Sequence, residues 1–190
     1  MAPAAPKLPS YADIEALPPH VNGEIVAGVL YATPRPAAVH LLTQSRAQSD
    51  IDQRFGRSGG GWWILHEPEL HLGDDVLIPD IGGWRVETMP EFPNTAAISV
   101  VPDWACEVLS PSTWKLDRGP KLDAYRRHGV GHVWMVHPIG QTVEVLRNAP
   151  DGWYLDGTFI GECTATIPPF FEAEFDIGQW WAPGTGDPAE

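Results

Sequence analysis

Apolar positions along the chain change period several times, and each change marks an element. Residues 11–17 predict a short helix, and Glu24–Tyr31 alternates as a strand does. After Pro34-Arg-Pro36, the stretch Ala37–Phe55 places Val39, Leu42, Ile51 and Phe55 at helical spacing, and Gly59-Gly60-Gly61 ends it. Trp62–His66, Glu69–Leu72 and Val76–Ile78 predict short strands, and Asp103–Leu109 predicts a buried one. Pro120–His128 predicts a helix with Pro120 at its first position and Gly129 as its C-terminal cap. His132–Val136 and Thr142–Leu146 follow as strands around Pro138-Ile-Gly140, and Gly152–Thr158 adds another. Helices interspersed with many strands give an α/β (α+β mixed) class: a curved mixed sheet flanked by helices. Residues 1–10 and 182–190 predict unstructured tails, leaving one domain over 11–181 of the 190 residues.

Composition narrows the classes. A 43% hydrophobic share supplies a core, and a net charge of −13 disfavours a general nucleic-acid coat protein. No apolar run approaches transmembrane length, and the N-terminus lacks the apolar middle of a secretory signal. Two cysteines, Cys106 and Cys163, make neither a disulfide framework nor a four-cysteine zinc site. The expectation is a cytoplasmic protein.

Three segments carry candidate chemistry: Pro79-Asp80, Glu107-Val-Leu-Ser-Pro-Ser112 and Asp117-Arg-Gly-Pro-Lys121. Asp80 follows a short apolar strand. Glu107 interrupts Trp-Ala-Cys-Val-Leu, where a carboxylate is costly unless paired. Mg²⁺ suits such a pair, since it takes oxygen ligands and keeps several waters. Lys121 then stands where it could orient a metal-bound water. Taken singly, Pro-Asp reads as a turn, Glu107 as a paired structural acid and Lys121 as a solvated helix residue.

Pro102-Asp-Trp-Ala-Cys-Glu-Val-Leu-Ser-Pro-Ser-Thr113, Asp117-Arg-Gly-Pro-Lys-Leu-Asp-Ala-Tyr125 and Gly129-Val-Gly-His-Val-Trp-Met-Val-His-Pro138 together resemble the Uma-two family of restriction-endonuclease-like proteins. That family lies in the PD-(D/E)XK nuclease superfamily. Gly23-Glu24, His40 and Pro79-Asp80 extend the likeness over roughly residues 11–180. The resemblance implies a restriction-endonuclease-like core and a Mg²⁺-dependent endonuclease, with Mn²⁺ as a substitute. It makes Asp80 and Glu107 the metal ligands and Lys121 the catalytic lysine. Leu109 occupies the superfamily's usual lysine place, so the lysine has moved to the following helix. Glu24 becomes an accessory acid, and Tyr125, four residues after Lys121, holds it in position. His137 departs from the family's Val-Asp-Pro.

Charge bears on the substrate. Lys115, Arg118, Lys121, Arg126 and Arg127 face only Asp117 and Asp123, a local +3, while residues 148–190 contain no Lys or Arg. Lys115, Arg118, Arg126 and Arg127 are therefore candidate DNA contacts, with weak, salt-sensitive binding expected. The competing interpretation is a nuclease-like binding or regulatory module without catalysis, favoured by Leu109, His137 and the acidic total.

Two further clusters read as structural. His66, Glu67, Glu69, His71, Asp74 and Asp75 lack zinc-site spacing and predict a solvated hairpin. The nine tryptophans read mostly as core, with Trp180-Trp181 as a contact in a homodimer and Trp114 as a possible base-stacking residue.

Overall fold

The computed structural model describes residues 8–56 and 60–185. The expectations for residues 1–7, Gly59 and 186–190 lie outside the described residues.

The chain opens with α1 (Tyr11–Glu15), then the hairpin β1 (Val21–Val26) and β2 (Val29–Pro34). The sequence reads Glu24–Tyr31 as one strand, but it holds the hairpin's turn. Ala27 and Gly28 both have positive φ, 51° and 75°. A two-residue turn of that hand matches the twist of the flanking strands, and alternation alone does not reveal it.

Helix α2 (Ala38–Ile51) runs into a widened π turn, Asp52–Gly56. Its buried residues are His40, Thr43, Gln44, Ala47 and Ile51. The expected apolar stripe is thus correct at Ile51 and Phe55 but not at Val39 and Leu42, which are only half-buried. The first half of α2 turns a polar face inward, toward a polar cavity.

Next come β3 (Trp62–His66), β4 (Glu69–Leu72), β5 (Asp75–Leu77), β6 (Ile81–Arg85), β7 (Ala97–Ile98) and β8 (Trp104–Val108). A helical run follows: α3 (Trp114–Leu116), a π turn over Asp117–Lys121, and α4 (Leu122–His128). Gly129 caps it at φ 88°, as the sequence predicts. Pro120 instead lies inside the run. Proline offers no amide and collides with the carbonyl four residues back, and the wider turn accommodates it. The chain ends in β9 (His132–His137), β10 (Thr142–Ala149), β11 (Gly152–Ile160), β12 (Thr164–Ile167), β13 (Phe170–Asp176) and a 3-10 turn over Ile177–Trp180.

Among the described residues three sheets result: β2-β1-β5-β4-β7, β11-β10-β9-β8-β6-β3, and β12-β13. The pairs β4/β7 and β8/β9 are parallel and the others antiparallel, so the sheets are mixed. Strand β8 is buried along its length. Trp104, Cys106 and Val108 face an aromatic core with Trp134, Phe170, Phe175 and Trp180, while Ala105 and Leu109 face a second core with Leu77, Leu116, Ala124 and Met135. The six-stranded sheet is thus covered on both faces.

Trp180 and Trp181 are 0% and 5% exposed. Trp180 stacks on Trp134 at 6.1 Å and donates its indole N–H to Asp50 at 3.1 Å. They are core residues of this chain, which corrects the expectation that they form a subunit contact. Within the second tail, residues 182–185 form a turn, and Gln141 Nε2 reaches Thr185 Oγ1 at 3.2 Å. Among the described residues no helix is long and apolar enough to cross a membrane.

Candidate active site

The site begins with register. In the antiparallel pair β6/β8, Ile81 faces Cys106 and Gly82 faces Ala105. One step further along that register, Asp80 stands opposite Glu107. Ile81 and Cys106 point into the aromatic core, so Asp80 and Glu107 point to the other face. Directly opposed residues have Cβ atoms about 4.5–5.5 Å apart. Both acids line one cavity with Glu24, His40, Asp117 and Lys121. Its volume of about 60 Å³ admits a few waters, one water requiring roughly 10–15 Å³.

Lys121 is the centre of this cluster and only 2% exposed. Its Nζ lies 3.0 Å from Glu24 Oε1 and 3.0 Å from Glu107 Oε1, with Asp117 Oδ1 at 3.9 Å. It also donates to the Ile78 carbonyl at 3.0 Å. Tyr125, one helical turn on, donates its hydroxyl to Glu107 Oε1 at 2.5 Å. The expectation that Tyr125 holds Lys121 is thereby modified, because its hydrogen bond goes to the acid instead.

Asp80 is held by backbone and helix. Its Oδ2 accepts the Val108 amide at 2.6 Å, and its Oδ1 accepts His40 Nε2–H at 3.0 Å. Its carbonyl accepts from Gln44 Nε2 at 2.9 Å and from the Glu67 amide at 3.0 Å. Two residues earlier, the Ile78 amide donates to Glu24 Oε1 at 2.7 Å. Residues 78–80 join β5 of one sheet to β6 of another, so site atoms hold that junction on both sides.

Three carboxylates lie within 4 Å of the ammonium, and Asp80 and Glu67 line the same cavity, so negative charge is in excess. Burial alone would lower the Lys121 pKa, but Glu107, Glu24 and Asp117 outweigh it and hold the amine well above its ordinary value. Lys121 is therefore a cation at neutral pH. One cation cannot satisfy every neighbour, and the remainder falls on Glu107 and Asp117. Burial pushes Glu107 well above the usual carboxylate range, with Lys121 only partly opposing. Burial likewise lifts Asp117 to about 6 against the pull of Lys121 and a Thr113 hydrogen bond. His40 is raised too: burial works against its charge, but the hydrogen bond and field of Asp80 win.

A divalent cation fits this donor chemistry. The ligands on offer are hard oxygens carrying surplus charge. Among the described residues, no three His, Cys, Asp or Glu side chains converge as a ready cage. The fit is therefore to a site of one or two carboxylates completed by water, the arrangement Mg²⁺ favours.

The structure thus brings together Asp80, Glu107, Lys121, Glu24 and Tyr125. The basic residues fare differently. Arg118 pairs with Glu144. Arg126 donates to the Pro150 carbonyl at 3.0 Å, and Arg127 to Asp75 Oδ2 at 2.6 Å. With Lys121 buried, the local +3 does not form an open basic face. Lys115 is exposed, its Nζ 5.6 Å from the Trp114 ring centroid.

Asp117, which the sequence reads only as a charge opposing the basic residues, Glu67, which it reads as part of a solvated hairpin, and Gln44, which it does not mark, belong to the cavity or its wall, and His40 is marked only by resemblance. Asp117 does carry a signal, four residues before Lys121 on a helical face. Glu67 arrives by a positive φ of 43°, which no pattern announces. The rest of its cluster is structural. Asp75 is buried and bound by His128 at 2.6 Å, Arg127 and the Ala27 amide at 2.7 Å. Burial raises its carboxyl, but these hydrogen bonds prevail and hold it below the ordinary value. His137 Nδ1 accepts the Gly140 amide at 2.6 Å and closes the β9–β10 turn.

This acid-rich, one-lysine cavity lies at the margin of a mixed sheet, and a solved structure shares the fold. That structure, titled as "a putative nuclease belonging to DUF820 from Anabaena variabilis ATCC 29413", is 22% identical, matches at a TM-score of 0.73, and is covered over 98% of its own chain and 93% of this one. Residues 8–178 match the Uma2 family, described as "Putative restriction endonuclease", and the chain belongs to that family. No curated protein matches it.

Proposed function

We propose that this protein is a divalent-metal-dependent endonuclease that hydrolyses DNA phosphodiester bonds. The observation that carries the proposal is the convergence of Asp80, Glu107 and the Lys121 ammonium on one cavity. Asp80 and Glu107 would hold Mg²⁺, or Mn²⁺ in its place, which would supply positive charge to the phosphate and acidify a bound water.

The protein's own groups divide the remaining work. Lys121 stays protonated, so it acts as a donor that orients the attacking water or a phosphate oxygen, and not as the base. Glu24 and Glu107 hold the ammonium from two sides, and the Ile78 carbonyl restrains it from a third. Both contacts to Glu107, from Lys121 and Tyr125, fall on Oε1. His40 and the Val108 amide fix the plane of the Asp80 carboxylate. Preorganisation of this kind removes reorganisation from the reaction step.

The test is cleavage of plasmid DNA with Mg²⁺ or Mn²⁺ by wild type, Asp80→Ala and Lys121→Ala. Removing a group that stabilises transition-state charge costs about 10²–10³ in rate, so both variants should fall by at least that much. Equal activity in all three overturns the proposal. Calorimetry showing no divalent-ion uptake at millimolar concentration would instead identify a non-catalytic nuclease-like module.

A further inference from the structure

Six of this chain's tryptophans are buried, and Trp63 and Trp153 are half-buried against the second core. Of its nine tryptophans, all in described segments, Trp114 alone is exposed, at 45%. An indole in water forgoes a large apolar burial, so its position asks for a reason. Trp114 opens the helical run that carries Lys121. It follows directly on Ser110–Thr113, of which Ser110, Ser112 and Thr113 line the carboxylate cavity. On its other side Trp114 lines a second, more apolar hollow with Leu109, Pro111 and Ile139, itself 52% exposed. Ser110 forms part of both walls, so the two hollows adjoin. Lys115 stands at the indole with its ammonium 5.6 Å from the ring centroid, and Arg118 lines the same hollow.

An aromatic plate with cations beside it, adjacent to a site for phosphate, has the chemistry of a stacking platform for a nucleobase. We propose that Trp114 stacks an unpaired base of the strand being cut, while Lys115 takes a flanking phosphate. This rests on the hydrolytic function above and sharpens its substrate class. Inside a duplex both faces of a base are covered by its neighbours. A base reaches an indole only from a single strand, a frayed end, a flap or a flipped position, and flipping costs a few kcal/mol. The favoured substrate is therefore DNA with an unpaired segment next to the scissile phosphate.

The experiment is fluorescence anisotropy at low salt in EDTA, with a labelled single-stranded oligonucleotide and the blunt duplex of the same sequence. Wild type, Trp114→Ala and Trp114→Phe are compared, with cleavage of plasmid and of a flapped duplex by wild type in Mg²⁺ scored separately. One stacked base is worth about 1–3 kcal/mol. Trp114→Ala should therefore weaken single-strand binding by about tenfold and leave duplex binding unchanged, and Trp114→Phe should recover most of the loss. Single-strand binding that is absent in wild type, unchanged in Trp114→Ala, or lost equally on both DNAs overturns the inference. If wild type cleaves DNA and Trp114→Ala binds normally, the platform fails and the nuclease stands. If wild type cleaves nothing while Trp114→Ala binds single strands poorly, the platform stands and the nuclease fails.

Discussion

Lys121→Met tests the charge arrangement most directly. Methionine keeps the apolar stem and removes the ammonium, leaving Glu24 and Glu107 without the cation 3.0 Å from each. Deleting one partner of a buried pair costs about 3–5 kcal/mol, which sets the loss expected at pH 7. The loss should also depend on pH in a defined direction. Asp117 in the wild type loses its proton near pH 6, while Lys121 still lowers that value. Without Lys121 the buried acids hold protons to higher pH. Above about pH 6 the folded variant keeps a proton that both the folded wild type and the unfolded chain have released. Stability relative to wild type then falls as pH rises, by about 1.4 kcal/mol per pH unit for each proton retained. Urea unfolding followed by tryptophan fluorescence at pH 6, 7 and 8, in EDTA, measures this. A variant as stable as wild type, or a deficit that does not change between pH 6 and 8, would refute the role of Lys121 as the neutralising cation.

Two further outcomes concern the scaffold. Asp75→Asn should cost about 1–3 kcal/mol at pH 7, the price of leaving buried donors unmatched. Because the folded carboxyl lies below its ordinary value, its contribution is complete above about pH 4, by the reference value for aspartate. It disappears as pH falls through the depressed value, so wild type and variant should converge in acid unfolding curves. Gly83→Ala would put a Cβ 2.8 Å from Cε3 of the Trp104 ring. Trp104 is wholly buried, so the ring cannot yield cheaply. A loss of about 1–3 kcal/mol by urea unfolding is expected from overpacking, and an unchanged midpoint would contradict it.

Elements whose own residues carry a strong period were legible in the sequence. Strand β8 and the His132–His137 strand were placed within a residue or so, as was the Gly129 cap. Strand β6 was not, since two adjacent glycines in Ile81-Gly-Gly-Trp-Arg85 remove the side chains that carry a strand's period. Its glycines admit neighbouring rings, a requirement set by Trp104 and Trp84 rather than by local propensity. Strands β12 and β13 were missed for a related reason, because the aromatic core supplies their stability from outside. The candidate site was legible where its residues sit in the ordered 102–121 stretch and at Asp80. Glu24, His40 and Tyr125 were reached through the family resemblance. What escaped were contacts that only three dimensions create: the inward polar face of α2, and the ion pairs that occupy Arg118 and Arg127.

Residues 78–80 have a consequence beyond chemistry. The same polar atoms that equip the cavity also hold the two sheets together: Lys121 bridges Glu24 of β1 and Glu107 of β8, while Glu24, Lys121 and Gln44 fasten the connector through the Ile78 amide, the Ile78 carbonyl and the Asp80 carbonyl. Architecture and the candidate site thus share one set of parts. Loss of Glu24 or Lys121 would therefore loosen the junction between the sheets whether or not the cavity is reactive. Selection on folding alone would therefore keep Glu24, Glu107 and Lys121 together.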